Sequence, residues 1–297
     1  MKKADSGICR KIALMMALIF LWGSMGCSNS GEPDEAFRMG VVPAQNKGNM
    51  QKAMDKLEKV LSDHIGRAVE ITVYADYQGV VEAMKYKKLE MAFFGPLTYV
   101  QVREKTGARA IVTQLIDGKP YYHSYIIVPK DSPHRSIDDL VKHSRDIRFA
   151  FGDINSTSGS LIPGIELKKR GVFTDRENHR FKAVTYTGSH DITALAIQNK
   201  KYDAGAIDSA IYNQLVKDGK VDGDKIRVIW KSEKLFQYPW AVSEKVDDET
   251  VKKLQKAFLS VKDPEILGVF GASGFTTAKD SDYESIRQAA REAGRLE

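Results

Sequence analysis

From Phe37 onward, short apolar runs and helix-period segments take turns along the chain. The run at residues 37–42 reads as a strand. In 49–65, Met50, Met54, Leu57, Leu61 and Ile65 recur at helical spacing until Gly66 stops the helix. The alternation continues with strands at 69–74, 91–94, 110–116 and 125–128 and helices at 78–87 and 97–105, the last two strands joined through the turn at 117–120. A second set follows, with strands at 147–151, 183–186, 204–207 and 226–230 and helices opening near Thr157, Asp191 and Ala210. Strands separated by helices imply α/β architecture with mainly parallel sheets covered on both faces. Two such sets predict two lobes, with crossings at 128–131 and 232–238. Residues 37–127 and 235–297 would form lobe 1 and 128–234 lobe 2, with C-terminal helices at 248–260 and 282–292 returning to lobe 1. With 42% hydrophobic and 28% charged residues, the chain can fill two cores.

The first residues follow a different rule. Lys2, Lys3, Arg10 and Lys11 precede an apolar run at 12–22, and small residues follow it, as in a secretory signal peptide spanning 1–26. The run is about half the ~20 residues that a membrane-spanning helix needs. Gly26-Cys27 then resembles a lipobox, although Ser24 stands where such sites usually carry Leu. Cys9 falls in the leader, so Cys27 is the one cysteine left in a processed chain and has no disulfide partner there. It is expected to carry lipid, with 27–36 as a flexible tether and the folded part held at the extracytoplasmic or periplasmic face of a membrane. The formal net charge of +6 includes +3 from the leader, four basic residues against Asp5, leaving +3. No basic stripe interleaved with aromatics is present, so nucleic acid is not an expected partner.

Candidate chemistry gathers at strand-to-helix junctions. Ser156, Thr157, Ser158 and Ser160 place four hydroxyls within five residues where a helix begins. Amides of a first helical turn point outward at the positive end of the helix dipole, and hydroxyls add donors without countercharge, which suits an anion. Simple N-capping explains one such hydroxyl. His190, after Gly188-Ser189, can donate to an oxyanion or merely cap its helix. Asp208 ends the strand at 204–207, where parallel sheets present their ligand crevice; it either accepts a hydrogen bond from a protonated P–OH or caps the next helix. No Walker loop, His-x-x-x-His or cysteine cluster is present, so no metal or cofactor is expected.

Residues 76–80, 91–97, 155–160, 188–190, 203–209 and 279–283, taken in order, resemble the phosphate, phosphite and phosphonate binding proteins of ABC transporters. These are type II, two-lobed periplasmic receptors. The resemblance implies a lipoprotein that captures a small phosphorus oxyanion by hinge closure and passes it, as a monomer, to permease and ATPase subunits. It implies ligand contacts from Tyr77, Phe94, Ser156, Thr157, Ser158, His190, Asp208 and Tyr238. Tyr122 is also implied, with Tyr121 and Tyr125 as competitors. Members that bind aminoalkylphosphonates place a further carboxylate before the proline near the second crossing. This chain has Gln237-Tyr238-Pro239 there, which favours phosphate, phosphite or a small uncharged phosphonate, with Tyr238 and Trp240 narrowing the pocket. Two other readings stay open: a sensory subunit that signals to a membrane kinase, and a hydrolase using Ser158, His190 and Asp208. The second lacks the Gly-x-Ser-x-Gly elbow.

Overall fold

A computed structural model describes residues 35–296; the leader, Cys27 and the tether up to residue 34 lie outside the described residues. Strands β1 (Phe37–Val41), β2 (Val69–Val73), β3 (Met91–Phe93) and β4 (Arg109–Leu115) enter the first sheet. Helix α1 (Lys47–Ile65) joins β1 to β2. Asn46 caps it by accepting the Asn49 N–H, Met50, Met54, Leu57 and Leu61 face inward, and Gly66 ends it at φ 72°. Helices α2 (Tyr77–Lys85) and α3 (Pro96–Thr106) make the next two connections.

The chain then leaves this sheet through β5 (Tyr121–Tyr122) and enters a second one at β6 (Ser124–Pro129). That sheet also contains β7 (Arg148–Phe151), β8 (Ala183–Tyr186), β9 (Ala204–Asp208) and β10 (Ile226–Lys231). Its helices include α4 (Ile137–Lys142), α5 (Ile162–Lys169), α6 (His190–Gln198) and α7 (Ser209–Lys217). The return runs through β11 (Leu235–Phe236), antiparallel to β5, into β12 (Pro239–Val242) of the first sheet, and β13 (Gly274–Thr277) completes that sheet's edge. Helices α8 (Asp248–Ser260) and α10 (Glu284–Glu292) pack on α1 and α3 as expected, with α9 (Pro264–Val269) between them in sequence.

Both sheets share one strand order. The first reads β2-β1-β3-β12-β4-β13 and the second β8-β7-β9-β6-β10. In each, one strand (β1, β7) lies parallel to the two that follow it within that sheet, and the second of those (β3, β9) pairs antiparallel with the strand that crosses over (β12, β6). The expected parallel sheets are therefore mixed. A crossing strand enters from the opposite end, so it must run against its neighbours.

The expected first crossing at 128–131 is also displaced. Val128 and Pro129 pair with Arg227 and Ile226 inside the second sheet, and β4 forms no hairpin with β6. The turn at 117–120 closes through the Ile116–Lys119 pair and feeds β5 instead. Strand β6 is apolar on both faces, with Ile127 in the larger core and Ile126 and Val128 in a second core behind it. A run of that kind marks a central strand and cannot serve as an exposed linker.

Candidate functional site

The carboxyl ends of β7, β8 and β9 face the first sheet, and the loop after β7 carries the hydroxyl cluster. Ser156 accepts the Gly159 N–H at 3.0 Å, and the Leu161 N–H reaches back to the Ser156 carbonyl at 3.0 Å, so residues Thr157–Leu161 form one π-helical turn. Gly159 fits closely there. A Cβ would sit 3.0 Å from the Gly152 Cα and 3.1 Å from the His190 ring. Ser156, Thr157 and Ser158 are fully buried. Thr157 Oγ accepts the Leu97 N–H at 2.8 Å, tying this turn to the start of α3 in the first sheet.

His190 opens α6. Its Nδ1 accepts the Asp208 N–H at 3.2 Å, which leaves the ring proton on Nε2, 3.2 Å from the Tyr238 hydroxyl and 3.5 Å from Ser156 Oγ. Burial pushes His190 down to a pKa of about 3, so the ring is a neutral donor. Its own N–H donates to the Ala44 carbonyl at 3.1 Å, a second tie between the sheets. Of the two roles read from the sequence, Asp208 fills that of cap: Oδ1 accepts the Ala210 and Ile211 N–H groups at the start of α7 at 2.7 and 3.1 Å. Burial raises Asp208 to a pKa of about 7 against the pull of those two amides.

The first sheet and the crossings contribute aromatics. Tyr77 starts α2 behind the Asp76 cap, Tyr122 lies on β5, and Tyr238 sits between β11 and β12. Tyr122 and Tyr238 have ring centroids 5.7 Å apart. Of the competing tyrosines, Tyr121 turns out to solvent beside Phe236 and Tyr125 packs on Tyr212, so Tyr122 is the inward one. Phe93 stacks on Tyr238 at 5.4 Å, and Phe94, the ring implied as a ligand contact, is buried just past the end of β3. Trp240, expected to narrow the pocket, packs behind Phe93 on Phe258 and Phe270.

The hydroxyls of Tyr77, Tyr122 and Ser158 are buried with no hydrogen-bond partner. The Tyr77 hydroxyl lies close to Tyr238 and Ser156, and that of Tyr122 to Ser158 and Thr157, without making good hydrogen-bond geometry; both feel the charge of Asp208. An unmet buried polar group costs about 1–3 kcal/mol, so several converging ones require a reason. Neutral donors from both sheets thus surround one carboxyl group. The hydrolase arrangement is absent: His190 Nδ1 accepts a backbone N–H where a triad needs it to donate to a carboxylate, and Ser156, not Ser158, lies beside Nε2.

A family model for the periplasmic phosphonate substrate-binding protein of ABC transporters matches residues 39–283. The chain belongs to this family. Among its curated relatives, the phosphonates-binding periplasmic protein of Escherichia coli is 26% identical over 89% of this chain and 78% of its own length. A phosphate-import protein of Mycolicibacterium smegmatis is 29% identical over 96% of both chains. A crystal structure of a Prochlorococcus marinus homologue in complex with methylphosphonate superposes with a TM-score of 0.79 at 25% identity, covering 89% of this chain and all of that one. The fold is the type II periplasmic binding protein, and the chain is the substrate-binding component of an ABC importer.

For this phosphonate-family binding protein, the sequence pattern missed Gln114 and Gln237, both buried beside Tyr238. Gln114 lies within a strand run that gives no sign of a ligand role. His134, Asp139 and His143, set apart from these tyrosines and serines in sequence, bring ligand-type atoms within 4.8 Å of one another.

Proposed function

We propose that Ser156, Thr157, Ser158, His190, Tyr77, Tyr122 and Tyr238 bind a tetrahedral phosphorus oxyanion as the two sheets close about the paired strands β5 and β11. The reading rests on the unpartnered buried hydroxyls of Tyr77, Tyr122 and Ser158 around the helix start at Thr157. A phosphate, phosphite or phosphonate supplies acceptors for all of them, and the complex with methylphosphonate in the Prochlorococcus marinus homologue supports that ligand class. Asp208 selects for protonation state. Above its pKa of about 7 the ionised carboxylate accepts a hydrogen bond from a protonated phosphorus oxygen, whereas a fully ionised anion such as sulfate has no proton to donate and is repelled.

Capture ends in hand-over to permease and ATPase subunits, with no bond made or broken in the ligand. The Gly26-Cys27 site supports a lipid anchor at the periplasmic face, and Cys27→Ser should move the protein from the membrane fraction to the soluble one. The decisive measurement is a calorimetric and thermal-shift panel of phosphate, phosphite, methylphosphonate and sulfate. The phosphorus compounds should raise the melting temperature with concentration, and sulfate should not. A melting curve left unchanged by every phosphorus compound would end the proposal.

A further inference from the structure

Beside the cradle lies a second, smaller space. It shares Asp208 and Tyr238 with the oxyanion site and is otherwise walled by Met50, Phe93, Ile211 and Phe270, with Gln45, Gln114 and Gln237 as its amides. The centre of a water-sized sphere can move within about 20 Å³ of it, room for a group of one or two heavy atoms.

The amides here are oriented by the backbone. Gln237 Oε1 accepts its neighbour's N–H, that of Tyr238, at 3.3 Å, which fixes which end of the amide carries oxygen. The same oxygen accepts Gln114 Nε2 at 3.1 Å, so the second amide is fixed in turn. Two buried atoms are then left without partners: Gln237 Nε2, a donor, and Gln114 Oε1, an acceptor. Gln237 and Gln114 are 1% and 5% exposed, and the Gln237 backbone is held from both sides, its N–H by the Pro120 carbonyl and its carbonyl by the Tyr283 hydroxyl. Neither amide can turn to water to find a partner.

Building on the oxyanion reading above, we infer that this space is a subsite for a short uncharged substituent on phosphorus that ends in a hydroxyl, as in hydroxymethylphosphonate. A hydroxyl accepts from Gln237 Nε2 and donates to Gln114 Oε1 at once, while its single carbon lies against Phe93 and Met50. A methyl group fills the space and leaves both amide atoms unmet. Phosphite and phosphate do not reach it. An ammonium meets one acceptor but leaves the Gln237 donor facing a cation.

Titration calorimetry on the intact folded chain should compare methylphosphonate, hydroxymethylphosphonate, 2-aminoethylphosphonate and phosphite. Hydroxymethylphosphonate is expected to bind about tenfold tighter than methylphosphonate, the gain of two uncharged hydrogen bonds in a buried site. In Gln114→Leu/Gln237→Leu, which removes both amides, keeps their volume and leaves the Tyr238 N–H unmet for every ligand alike, that preference should vanish while methylphosphonate binds within about threefold of wild type. Unchanged phosphite affinity in the variant would show that its fold is intact. Equal affinities for the two phosphonates in the wild type, or a preference that survives in the double variant, would overturn the subsite alone. Failure of all four compounds to bind would overturn the oxyanion reading with it.

Discussion

The two rims that meet across the cleft grow from sheets of the same strand order, yet they are built from different chemistry. The second sheet's rim is made of helix starts: the π turn at Thr157, the first residue of α6 and the Asp208 cap of α7. The first sheet and the crossings offer mainly aromatic side chains, with Phe93 stacked on Tyr238, Tyr122 tilted against Tyr238, and Tyr77 and Tyr238 both beside Gly95. Backbone amides are fixed by the fold and cannot be re-aimed, whereas a tyrosine hydroxyl stands at the end of a long ring whose position depends on packing. Affinity for the anion should therefore reside chiefly in the second rim, and selectivity for what is attached to it in the first.

The largest test of this division is electrostatic. Ordinary values near 3.9 and 6.5 apply to Asp208 and His190 in the unfolded chain. Between about pH 4 and 6.5 folded Asp208 keeps a proton that the unfolded chain has lost, so its contribution falls as pH rises. Folded His190 stays neutral where the unfolded chain is protonated, so its contribution rises with pH. The two slopes oppose each other. Asp208→Asn, which can still cap α7, should remove one of them and make stability relative to wild type climb by about 1.4 kcal/mol per pH unit, or roughly 3 kcal/mol over the window. Urea melts at a series of pH values would show it, and parallel curves for the two proteins would refute the buried pair.

Next in size, Thr157→Val keeps the shape of the side chain but removes the oxygen that accepts the Leu97 N–H and faces the cradle. Losing a hydrogen bond to a charged ligand and one across the cleft should weaken phosphite or methylphosphonate binding by about 100-fold. Smaller again is Tyr77→Phe. Its hydroxyl has no partner in the structure, so its removal should raise the melting temperature slightly while weakening the ligand by about tenfold. Calorimetry of both variants side by side sharpens the comparison, since a Tyr77→Phe loss as large as that of Thr157→Val would erase the distinction between rims.

Several of these positions could be read before any coordinates. Ser156 to Ser158, His190 and Asp208 sit at junctions where apolar period changes from two to 3.6, and local pattern alone puts such residues at helix starts. Tyr122 could be separated from Tyr121 and Tyr125 only by pairing, because β5 is two residues long and its inward face is set by β11, more than a hundred residues later. The retreat of Trp240 into the core has the same origin: which face of a strand is the pocket face depends on the sheet it joins. Gln114 gave no local signal, since a lone polar residue in an apolar strand becomes meaningful only when Gln237 is placed against it.

The sequence by itself determined the alternation of elements and the helix starts with their hydroxyls, because these follow from short-range periodicity and capping. Tertiary structure decided that the sheets are mixed, where the chain crosses between them and which rings meet at the candidate site. Those outcomes depend on pairing between segments far apart in the chain, and strand direction and facing residue are fixed only when the partner strand arrives.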